Sequence, residues 1–162
     1  AQRKLNRKVK DSNNWKKQRR KLAKVHRHIA NQRKDFLHKK STEIANRCDI
    51  VCVENLNLRS MSNKGFGNGK ATLDNGYGMF LTMLEYKVEK NGGIFIKVDK
   101  WYPSSQLCST CGFKNADVKD LRVMKWICPA CGKAHERNQN AAENILKEGT
   151  RIAKSIIAAN AA

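Results

Sequence analysis

Between Ser12 and Arg47 the apolar positions recur on a helical period: Trp15, Leu22, Ile29 and Phe36 fall at every seventh residue, with Val25, Leu37 and Ile44 beside them. One face of an α-helix shows such a stripe. No Pro or Gly interrupts it, and Ser12 stands where a hydroxyl caps a first turn, so the pattern predicts one long helix. At Asp49 the period changes. DIVCVENL (49–56) is a short β-branched run with polar flanks and predicts a buried strand. Asn57 to Gly78 is rich in Gly, Asn, Ser and Lys and has no period, which predicts a mobile basic loop. Phe80, Met83, Leu84, Lys87 and Val88 restore helical spacing as far as Asn91-Gly92-Gly93, residues that tolerate the left-handed backbone on which helices end. IFIKVD (94–99) predicts a second strand. Ala141, Ala142, Ile145, Leu146, Ile152, Ala153 and Ile156 form the apolar face of a closing helix, with Asn138 near its start. The order of helix, strand, loop, helix, strand, cysteine segment and helix places the chain in the α/β class.

Charge changes this picture more than hydrophobicity does. Over 162 residues, 33 Lys and Arg face 14 Asp and Glu, a formal net charge of +19. A compact fold tolerates that as self-repulsion unless something anionic neutralises it. A polyphosphate backbone fits best, because each neutralised phosphate releases counterions. A membrane surface fits less well, because no apolar run approaches the length of a span and no amphipathic stretch has the bulky Trp, Phe and Leu face of an interfacial helix, so no membrane partner is expected. The absence of a leader-like segment at the start favours an intracellular, DNA-associated (cytoplasmic, nucleoid) setting. The long helix mixes few acids among its bases, and Lys16, Lys17, Arg19, Arg20, Lys24 and Arg27 are read as its phosphate contacts. Lys64 and Lys70 in the loop add to that surface, as do Lys114, Arg122, Lys125 and Arg137 further on.

Cys108-x2-Cys111 and Cys128-x2-Cys131 have the spacing of two thiolate-bearing turns that close into a tetrahedral zinc site. Gly112 and Gly132 follow the pairs directly and allow the tight turn each needs. A redox pair or a disulfide is the lesser alternative in an intracellular setting. Four protein ligands leave no open position, so this zinc is structural. Trp126 is expected to pack beneath the metal, with base stacking as the alternative, and His135 to be a surface residue or a phosphate contact. Cys48 and Cys52, among small apolar neighbours, read as buried free thiols without a function.

Glu54 stands in the middle of an apolar strand, where an ionised carboxylate is costly unless it is paired or bound to a metal. A salt bridge to the basic helix and a metal ligand both remain open on that ground alone. VENL (53–56), YPSSQLCSTCG (102–112), CPACG (128–132) and NAAENI (140–145) then follow in order. Together they resemble the TnpB family of transposon-encoded, RNA-guided DNA endonucleases, relatives of the type V CRISPR effectors, in its C-terminal part. The resemblance implies a partial RuvC domain of RNase H-like fold in residues 1–104, an inserted zinc ribbon in 105–134 and a closing helix in 135–162. It also implies guide RNA and target DNA as partners, and Mg2+ held by three acids as the catalytic cofactor beside structural Zn2+. Glu54 matches the second acid, and the first is expected on a strand ahead of Ala1. The third corresponds to Asn138, an amide where the family has Asp, with Glu136 two residues earlier as a substitute ligand. The implied metal site is therefore incomplete, and a nuclease-dead RNA-guided binder stands as the alternative to an endonuclease.

Overall fold

The computed structural model describes residues 1–61 and 75–160. A short helix α1 (Gln2–Asn6) folds back on α2 (Asn13–Ala45), burying Leu5 and placing Gln18 Nε2 3.3 Å from the Ala1 carbonyl. The Ser12 hydroxyl accepts from the Trp15 N–H at 3.2 Å, so α2 begins where the capping residue predicts. Strand β1 (Ile50–Glu54) follows, then a single helical turn α3 (Leu58–Met61) inside the stretch expected to be loop. The remainder of that loop, with Lys64 and Lys70, lies outside the described residues. Helix α4 (Tyr77–Lys90) leads into β2 (Ile94–Val98), and Gly92 at φ 79° supplies the left-handed turn between them. Beyond lie β3 (Lys125–Ile127) and β4 (Ala134–Glu136), which pair antiparallel, and the closing helix α5 (Arg137–Asn160).

Strands β1 and β2 pair in parallel, from Ile50 opposite Ile94 to Glu54 opposite Val98. Side chains alternate across the two faces. Val51, Val53 and Phe95 meet Ala45, Leu84 and Val88 of α2 and α4 on one side. Ile50, Cys52, Ile94, Ile96 and Val98 meet Ile145, Ile152 and Ala153 of α5 on the other. Both faces are covered, which is why both strands read as apolar runs. Glu54 shares the α5 face by this alternation and sits at its polar end.

Three expectations change. The stripe on α2 is buried only in its last third, and there it is shifted by one residue: Leu37, Ser41 and Ala45 are buried, while Val25, Ile29 and Phe36 are exposed. Only that part of α2 lies against α4, and the contact is polar in part. Lys87 Nζ donates to the His38 carbonyl, the Ser41 hydroxyl and the Thr42 hydroxyl at 2.7, 2.7 and 2.8 Å, which satisfies a buried serine at the cost of a partly desolvated ammonium. The expectation of two buried thiols is also corrected. Cys48 is exposed, because it lies in the turn between α2 and β1, and Cys52 is half-buried. Burial raises the Cys52 thiol above its ordinary range. The third change is at His135, described below.

Cys52 packs against the backbone of α5 at Gly149. A methyl group on Gly149 would collide with Cys52 Sγ and lie 2.6 Å from its Cβ. Because the Cβ itself is in the way, rotating the thiol brings no relief. Gly149→Ala is expected to lower stability by about 1–2 kcal/mol, the overpacking cost exceeding the better helix propensity of alanine. A urea midpoint that stays put or rises would remove this contact from the account of how α5 seats on the sheet.

Candidate functional site

The four cysteine sulfurs lie within 4.8 Å of one another. Each CxxC pair forms the same knuckle. The Gly112 N–H donates to the Cys108 carbonyl at 2.9 Å and the Gly132 N–H to the Cys128 carbonyl at 2.9 Å, with the two glycines at φ 78° and 72°. The separations Cys108–Cys131 and Cys111–Cys128 are 3.7 and 3.6 Å. A tetrahedron with Zn–S bonds of ~2.3 Å has edges of about 3.8 Å, so the donor set fits a zinc ion. The electrostatics agree. Burial opposes charge on Cys108, yet the Cys111 and Thr110 N–H groups and the Cys111 and His135 side chains bring its thiol down to about 5. For Cys111 the Phe113 N–H favours the thiolate, but burial and the other three sulfurs push it up to about 12. One thiolate is comfortable here, and several need a cation among them.

His135 is buried, correcting the expectation of a surface or phosphate-contacting residue. Its Nε2 lies 3.1 Å from Cys108 Sγ and its ring 4.8 Å from that of Trp126. The register of β4 against β3 sets His135 opposite Trp126, which the linear spacing does not reveal. An imidazole N–H donated to a ligand sulfur orients that ligand and spreads its charge. Trp126 is buried among Cys108, Val118 and Cys128 and takes the packing role. Strand β4, which carries His135, spans Ala134–Glu136 and leads directly into α5.

The ribbon is clasped to α5 by two asparagines that the sequence showed only as part of a motif. Asn140 Oδ1 accepts from the Ser109 N–H at 2.8 Å, and its Nδ2 donates to the Leu107 carbonyl at 2.7 Å. Asn144, one turn on, donates to the Leu107 and Ser104 carbonyls at 2.7 and 2.8 Å. Lys147 Nζ donates to the Ser109 carbonyl. The signal available in the sequence was two amides spaced i, i+4 along a helix with an otherwise apolar face.

This clasp fixes the start of α5 beside the carboxyl ends of β1 and β2, where parallel sheets place their ligands. A cavity of 670 Å³ opens there, lined by Glu54, the turn residues Lys100 to Gln106, Lys114, Leu121, Met124, Arg137, Asn138 and Ala141. Glu54 and Asn138, 84 residues apart in the chain, thus border one space. Neither side chain has a hydrogen-bond or ion-pair partner among the described residues, and the salt bridge to α2 is not formed. Glu136 is placed elsewhere. Its Oε2 accepts from the Gln139 N–H at 2.8 Å, closing the first turn of α5, and it borders a different cavity with Ser109 and Lys133.

Of the bases expected to contact phosphate, Lys16, Lys17, Arg19, Arg20, Lys24 and Arg27 are all exposed on the first half of α2, along about 17 Å of helix. No acid interrupts residues 13–34. Lys114 and Arg137 line the Glu54 cavity. Arg122 pairs with Asp120 at 2.6 Å on the exposed surface, holding that carboxyl below its usual range. Lys125 lies on β3, beside a separate cavity next to Trp126.

Comparison with known proteins bears on this arrangement from both ends of the chain. The family model "Probable transposase" matches residues 1–65, and "Cas12f1-like, TNB domain" matches 77–145. A Streptomyces pristinaespiralis protein named as an RNA-guided DNA endonuclease is 42% identical over 92% of this chain and 36% of its own length. InsQ of Escherichia coli K12, named likewise, is 35% identical over 93% of this chain and 40% of its own. A TnpB-like protein of Acanthamoeba polyphaga mimivirus is 33% identical over 87% and 27%. A cryo-EM structure of a Cas12f1–sgRNA–target DNA complex superposes with a TM-score of 0.56 at 26% identity, over 79% of this chain and 38% of that one. The chain spans roughly two-fifths or less of the length of these relatives, and within that span the motifs, the cysteine cluster and the matched models agree that it belongs to the TnpB family.

Proposed function

We propose that this chain is the RuvC-like, RNase H-type portion of an RNA-guided DNA endonuclease, acting at the nucleoid with a guide RNA and a target DNA. The observation that carries the reading is the meeting of Glu54 and Asn138, two unpartnered polar side chains from separate elements, in one cavity flanked by Lys100, Lys114 and Arg137. In this reading α2 grips the nucleic-acid backbone. The cations around the cavity hold a phosphodiester against the ends of β1 and β2, and the zinc ribbon sets the start of α5. Mg2+ would supply Lewis-acid activation of water in such a site. The described residues offer it one carboxylate and one neutral amide, a set too poor in charge to hold a pair of divalent ions by itself. No helix among the described residues is long and apolar enough to cross a membrane.

The amide at Asn138 specifically favours a second reading, an RNA-guided DNA-binding protein of the same fold that serves as repressor or scaffold without cutting. The two separate in one assay. Full-length protein loaded with its guide RNA is incubated with target DNA in Mg2+ or Mn2+, and cleavage supports the first reading, while tight binding without cleavage supports the second. Both require backbone contacts. Affinity is expected to fall by about a thousandfold between 50 and 200 mM salt if some six phosphates are neutralised. An affinity indifferent to salt would overturn both.

A further inference from the structure

The turn after β2 carries two aromatic residues in succession, and the fold treats them oppositely. Tyr102 packs beneath α5 with Ile145 and Ile152, whereas Trp101 is 80% exposed. Tryptophan is the largest apolar side chain, and nothing in the core uses this one. Nor does it hang on a loose segment. The Trp101 N–H donates to Asp99 Oδ1 at 2.7 Å and the Tyr102 N–H to the Asp99 carbonyl at 3.0 Å, which pins the turn.

Its surroundings have a definite chemistry. Lys100 Nζ lies 4.9 Å from the indole centroid, and the ring borders the Glu54–Asn138 cavity with Lys114 and Arg137. Leu121 and Met124, 75% and 45% exposed, line the same cavity. A fixed, bare aromatic plane bracketed by cations is what a single strand of nucleic acid needs, since every base offers a π-face and every linkage a charge. A duplex keeps its base faces in its own stack, so the occupant is an unpaired nucleotide.

The geometry points to Trp101 as a stacking platform for an unpaired base of the strand that crosses this cavity, with Lys100, Lys114 and Arg137 on the neighbouring phosphates. The inference rests on the nucleic-acid-binding reading above and adds a positioning residue to it. Stacking is tolerant of sequence, so the platform orients the strand without choosing among bases.

The test compares two labelled single-stranded oligonucleotides of about 12 nucleotides, one of thymidines and one wholly abasic with the same number of phosphates, on full-length zinc-loaded protein. Wild type is expected to bind the thymidine strand more tightly. Trp101→Ala is expected to weaken that binding by about five- to a hundredfold and to leave the abasic strand within about twofold, with Trp101→Phe retaining most of the preference. Zinc stoichiometry and thermal midpoint should not move, because the side chain is bare. Equal binding of the two strands by wild type, or an equal loss on both in Trp101→Ala, overturns the platform and leaves the nucleic-acid reading standing. Failure of wild type to bind either strand overturns the reading itself, and the platform with it.

Discussion

Cys128→Ser is expected to unfold the ribbon while sparing the rest of the domain. The buried core of the ribbon consists of Cys108, Val118, Trp126 and Cys128, with Val123 half-buried against it. Two of those four residues belong to the cysteine cluster that fits a zinc ion, so with that ion lost the module would keep almost no hydrophobic core. Structural zinc contributes about 10–16 kcal/mol to the folding of comparable small modules near neutral pH, more than a cluster of this size supplies by burial. Zinc content should drop from one equivalent towards none, Trp126 emission should shift to the red, and amide protection should vanish across residues 105–136. The first turns of α5 should fray as well, because Asn140 and Asn144 lose the carbonyls of Leu107 and Ser104. Protection in β1, β2 and α4 should persist, since their clusters share no residue with the ribbon. A Cys128→Ser protein that kept its zinc and a native Trp126 environment would show that the four sulfurs do not act as one site.

Asn138→Asp is expected to have the largest effect on chemistry. The two side chains are isosteric, and Asn138 is the second residue of α5, whose first turn contains no acid. A carboxylate there meets the positive end of the helix dipole, and so should stabilise the fold by about 0.3–1 kcal/mol. At the cavity the change is of another order. In the proposed metal site, a second charged oxygen bordering the same cavity as Glu54 would raise the affinity for a divalent ion and stabilise charge that develops on a phosphodiester. A gain of several kcal/mol corresponds to about a hundred- to a thousandfold in rate. Guide-loaded full-length Asn138→Asp should therefore cleave target DNA at least about a hundredfold faster than the parent in Mg2+ or Mn2+, and adding Glu54→Gln should abolish the gain. Without divalent ions the extra negative charge should weaken DNA binding slightly. Cleavage by Asn138→Asp no faster than by the parent, with guide and target bound, would detach the Glu54–Asn138 cavity from phosphodiester chemistry.

Short-range patterns carried much of this molecule. The seven-residue recurrence along α2, the Ser12 cap, the β-branched runs that became β1 and β2, and the glycine stop after α4 each rest on interactions within about one turn or one strand. Their physics is complete in a window of that width. The four-cysteine cluster is legible for the same reason: a two-residue gap and a following glycine define a knuckle, and only the pairing of two knuckles is long-range. The family resemblance was legible too, carried by VENL, the two knuckles and NAAENI.

Partnership was decided elsewhere. Nothing local to α2 distinguishes Phe36, which faces water, from Leu37, which is buried, because the difference lies in where α4 crosses and in Lys87 reaching Ser41. His135 looked like a surface histidine until the register of β3 and β4 turned it onto Trp126 and Cys108. Glu136, two residues from the family's ligand position, was committed to the Gln139 N–H instead. The meeting of Glu54 with Asn138 required a parallel sheet, a helix packed through Gly149 against Cys52, and a ribbon clasped by Asn140. Periodicity and spacing establish which backbone states are cheap, whereas burial and proximity belong to pairs of surfaces brought together by folding, and a single chain read in order contains no term for them.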